Sequence, residues 1–104
     1  MSKFVFAYRG GPGMATTPEA QEKVMAEWGA WFGSLGASLV DGGSPFGPAV
    51  TVRPDGGSTE GGSAALTGYS IVDASDLTAA AGLAKGCPLL AGGGTVDVYE
   101  ALPM

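Results

Sequence analysis

The sequence predicts an α+β domain in which strand, helix and strand are written twice, as βαββαβ. Three observations carry this. Strand-like runs occur at Phe4–Tyr8, at Ala37–Val40 continuing through Ala49–Arg53, at Tyr69–Asp73 and at Thr95–Glu100. A long capped amphipathic helix follows the first run, and a shorter capped helix follows the third. Gly- and Pro-rich breaks separate the elements. Such a chain packs as a four-stranded antiparallel sheet with both helices on one face, the ferredoxin-like arrangement. With 104 residues, one domain over 1–104 is expected.

Phe4 to Tyr8 is aromatic and β-branched, with apolar residues facing both ways, as in a strand covered on two sides. Arg9-Gly10-Gly11-Pro12-Gly13 ends it. Thr17-Pro18-Glu19 starts a helix: Thr17 accepts from free first-turn amides, Pro18 suits the first helical position, and Glu19 faces the positive dipole end. Val24, Trp28, Trp31, Phe32 and Leu35 fall on one stripe at 3.6 residues per turn, so the helix runs to about Leu35 and lies on the sheet. Gly29, Gly33 and Gly36 share a flank of it, either because another backbone or a ligand approaches closely there or because the glycines are simply tolerated.

Asp41-Gly42-Gly43-Ser44-Pro45 interrupts the second strand as a bulge or turn. Pro54 to Ser63 holds four glycines and reads as a mobile hairpin loop. Ser75 is expected to cap the second helix, from Asp76 to about Lys85, and Gly86 to end it in a left-handed conformation. Thr95 to Glu100 closes the sheet. Phe4, Phe6 and Tyr8 face one side of it and Val5 and Ala7 the other. An apolar sheet face with no helix over it marks an interaction surface, so two sheets are expected to meet in a homodimer.

Composition narrows the chemistry. Net charge is −5, and Lys3, Arg9, Lys23, Arg53 and Lys85 do not cluster, which argues against nucleic acid as partner. No apolar run approaches a membrane span, and the N-terminal run, soon broken by Arg9, is too short for a signal peptide. A cytoplasmic protein without membrane contact is expected. Cys87 is the single cysteine, so no intrachain disulfide forms, and a small buried apolar role is its simplest reading. There is no histidine, which removes histidine general bases and histidine metal ligands; with scattered carboxylates, neither a metal nor another cofactor is expected.

The remaining polar residues define the candidate site. Arg9 with Gly10 and Gly11, running towards a helix start, suits a small anion or carboxylate, or is a plain connecting loop. Asp41, with Ser44 and Arg9, would lie at one mouth of the sheet; a half-desolvated carboxylate there could act as general base, the alternative being a turn that bonds its own backbone. Tyr8 and Tyr69 could orient a ligand or donate to an oxyanion, or simply fill the core or a dimer contact. Asp73 lies on the Tyr69 face at a strand end. Trp28 and Trp31 could line an aromatic pocket, but their place in the apolar stripe favours core.

Four segments together resemble one family. They are Tyr8-Arg9-Gly10-Gly11, Trp31 to Ala37 leading to Asp41-Gly42-Gly43, Gly68 to Ala74, and Ala84 to Leu90. In order and spacing the chain is similar, over nearly its whole length, to YCII-related proteins, especially the group that includes the DGPF-domain proteins. The resemblance implies a dimeric α+β barrel. Some YCII-like proteins are thought to act through a histidine–aspartate pair; without histidine, this chain inherits no such pair. Asp55-Gly56-Gly57-Ser58 follows Arg53, and the Asp-Gly-Pro-Phe motif is missing. The expectation is therefore a homodimeric, YCII-like binder of a small organic ligand. The alternative is a cofactor-free lyase- or isomerase-type enzyme for a small anionic substrate, using Asp41 with Tyr8 and Arg9 held in one enclosed cavity.

Overall fold

Alternation in the first strand decides the architecture. The computed structural model describes residues 2–10, 17–60 and 66–103. In β1 (Ser2–Arg9), Phe4, Phe6 and Tyr8 are buried on one face, the face on which the helices lie. The chain continues through α1 (Pro18–Leu35), a 3-10 turn (Gly36–Ser38), β2 (Leu39–Asp41), β3 (Val50–Val52), β4 (Ser58–Glu60), β5 (Leu66–Ala74), α2 (Leu77–Ala84), α3 (Pro88–Ala91) and β6 (Thr95–Ala101). The fold is α+β, with a four-stranded antiparallel sheet ordered β2-β5-β1-β6 and a separate two-stranded sheet, β3-β4.

Local chemistry forms α1 as expected: the Thr17 side chain accepts from the Ala20 amide at 3.1 Å, and Pro18 opens the helix. Trp31 and Leu35 are buried, while Val24 at 43% exposure lies outside the core, so the buried stripe is confined to the C-terminal half. Trp31 stacks on Phe6 at 6.0 Å between centroids and its Nε1–H donates to the Leu83 carbonyl, tying α1 to both β1 and α2. Ala80 and Ala84 complete the core from α2, and Val72 and Ala74 from β5.

Several expectations are corrected. The residues Val50–Val52 do not continue β2 within the main sheet. They pair with Ser58–Glu60, inside the segment expected to be a loop, as a hairpin closed by Arg53 to Gly57. Part of that segment, 61–63, lies outside the described residues. The cap of α2 is Asp76 rather than Ser75: its carboxylate accepts from the Ala79 amide at 2.7 Å, and a charged acceptor makes the stronger cap. Gly86 is not left-handed; its role is steric, since a Cβ there would lie 3.1 Å from Trp31 Cδ1. A short helix, α3, opened by Pro88, follows before β6. Among the described residues nothing would lie within 4 Å of a Cβ at Gly29, Gly33 or Gly36, so no described residue packs on the glycine flank of α1; Gly36, at φ 55°, ends the helix.

Candidate functional site

Register places the candidate residues on two faces. Tyr8 lies on the helix side, edge-on to Trp28 at 5.1 Å. Its hydroxyl donates to Ser70 Oγ at 2.7 Å, and Ser70 Oγ donates to the Gly42 carbonyl at 2.7 Å. Ser70 is fully buried, so this chain of bonds is the means by which its hydroxyl is satisfied inside the core. Burial pushes the Tyr8 hydroxyl up to about 12, against a smaller opposing effect from the Ser70 hydrogen bond. Held neutral and hydrogen-bonded inward, Tyr8 is placed as a core strut. Trp28 and Trp31 belong to the same apolar cluster rather than to an aromatic pocket.

The bond to Gly42 explains the Asp41–Pro45 segment. Asp41 is exposed, and its Oδ1 accepts from the Gly43 amide at 2.8 Å, which is the turn reading. Gly43 has φ 75°, and a Cβ there would collide with the Tyr69 carbonyl, so only glycine fits. The chain then runs on antiparallel along the edge of β5: the Ser44 carbonyl accepts from Tyr69 N at 3.3 Å, Pro45 bridges Gly68, and Phe46 N donates to the Thr67 carbonyl at 2.8 Å. Asp41 pairs with Ile71 and is level with Val5, whereas Arg9 lies four residues further along β1. With two strand spacings between them, the two residues stand about 16 Å apart. Arg9 does not share an enclosed cavity with Asp41: it is exposed and binds Asp97 through Nε (3.0 Å) and Nη2 (3.1 Å). Gly10 is exposed at φ 73°, and Gly11 lies outside the described residues.

The face opposite the helices is the second surface. Its cross-strand rows run Asp73–Lys3–Ala101, Ile71–Val5–Tyr99 and Tyr69–Ala7–Asp97, with Arg9 and Thr95 at the end. The row Ile71–Val5–Tyr99 and the adjoining Tyr69–Ala7 pair are thus bordered by two ion pairs, Lys3–Asp73 at 3.4 Å and Arg9–Asp97. Phe46 stacks on Tyr69 at 5.7 Å and extends the aromatic surface past the β5 edge. Arg9, Tyr69 and Asp73 are therefore brought to one face, while Tyr8 faces away from it. Sequence reasoning missed Ser70, Asp97 and Tyr99; the even spacing of Asp97 and Tyr99 along β6 was the available signal.

Cys87 is buried, which pushes its thiol up and keeps it protonated. Among the described residues no group of three His, Cys, Asp or Glu side chains could hold a metal, and no helix is long and apolar enough to cross a membrane. Comparison with protein-family models, curated proteins and solved structures gives no match.

Proposed function

We propose that the chain is a YCII-like, ferredoxin-like module that pairs through its open sheet face into a dimeric α+β barrel and holds a small organic ligand between the sheets. The observation that carries this reading is the row pattern on that face: Ile71, Val5, Tyr99, Tyr69 and Ala7 together, bordered at both ends by internally neutralised ion pairs. Tyr99 is 59% exposed, a large cost for an aromatic ring unless something covers it. The strand order β2-β5-β1-β6, with the helices on the other face, supports the same arrangement.

The balance of charge speaks to the ligand. Asp97 occupies two Arg9 donors and cancels its charge, so an anion gains little there. Aromatic rings and paired charges favour a small neutral, polar or aromatic molecule beside Tyr69 and Arg9. The enzymatic alternative receives no comparable support, since Asp41 sits in a solvent-exposed turn and the Tyr8 hydroxyl is committed to Ser70.

Sedimentation equilibrium at micromolar concentration tests the pairing: the mass of two chains is expected, and the mass of one overturns it. Native mass spectrometry of the purified dimer tests the ligand. An adduct lost on Tyr69→Ala is expected. No adduct, together with no thermal shift from a panel of small aromatic and neutral compounds, overturns it.

A further inference from the structure

We draw no further inference here: the strongest candidate, the exposed side of the β3–β4 hairpin where Val50 and Val52 lie beside Glu60 and Ser58, supports nothing because nothing among the described residues shows what covers it.

Discussion

Tyr8 on β1 and Ser70 on β5 share a hydrogen bond of 2.7 Å inside the core, and Ser70 passes it on to the carbonyl of Gly42. The three residues come from three distant parts of the chain. Their bond joins the sheet to the glycine turn that leads away from β2. Because the Tyr8 hydroxyl is held neutral up to about pH 12, folding and proton binding are linked. Above pH 10 the unfolded chain loses the Tyr8 proton while the folded chain keeps it. Unfolding then releases a proton, so stability is full below pH 10 and falls as pH rises towards 12. The loss attributable to Tyr8 approaches about 3 kcal/mol. Denaturant unfolding of the wild type and Tyr8→Phe between pH 8 and 12 measures it as the change in their difference. A constant difference across that range refutes it.

At neutral pH the same network makes a separate prediction. Tyr8→Phe removes one hydroxyl and leaves Ser70 able to bond Gly42, at an expected cost of about 1 kcal/mol. Ser70→Ala leaves both the Tyr8 hydroxyl and the Gly42 carbonyl without their shared partner, and should cost about 1–3 kcal/mol. The two changes meet in one network, so the double variant should cost less than their sum by at least about 0.5 kcal/mol. Strict additivity in urea unfolding would show that the bonds contribute independently.

Opposite signs are expected for two glycines. Gly43→Ala places a methyl on the Tyr69 carbonyl and forces alanine to φ 75°, so the pairing of Ser44 and Pro45 with the β5 edge must open. A loss of about 3 kcal/mol or more is expected, with the Tyr8–Ser70–Gly42 network disturbed as the turn moves. Gly29→Ala meets none of the described residues within 4 Å and lies inside α1, so removing the glycine penalty should stabilise the chain by about 1 kcal/mol. Thermal unfolding of both variants checks the pair. Destabilisation by Gly29→Ala would show that another surface does approach that flank.

These residues mark where the sequence was legible. Thr17, the apolar stripe through Trp31 and Leu35, and the alternation of Phe4, Phe6 and Tyr8 each act over one or two turns or along one strand, so they could be read in order. The α+β class and the open face follow from them. The Tyr8–Ser70 bond spans 62 positions and depends on strand register, which local patterns do not specify. Asp41 shows the same limit. Its sequence suited both a turn and a base, and only its level beside Val5 separated it from Arg9. The β3–β4 hairpin was misjudged because Ser58–Glu60 carries no apolar alternation, its pairing being held by backbone bonds and the Arg53–Gly57 turn. Gly86 looked like a helix stop because Lys85-Gly86 has that local form, while its true constraint is Trp31 on another element.

Gly86 therefore supports a prediction that a helix-stop role would not. The residue has no left-handed backbone to protect, so alanine is acceptable to its own conformation. What alanine meets is the Trp31 ring, with Cδ1 and Nε1 at 3.1 and 3.2 Å. That ring is buried, stacks on Phe6 and donates to the Leu83 carbonyl, so it has little room to retreat. Overpacking should cost about 1–3 kcal/mol. It should also lengthen the Trp31–Leu83 bond and alter tryptophan emission, to which only Trp28 and Trp31 contribute. Urea unfolding followed by fluorescence measures both effects. Gly86→Ala with unchanged stability and emission would mean that Trp31 yields freely, despite its stacking on Phe6 and its bond to the Leu83 carbonyl.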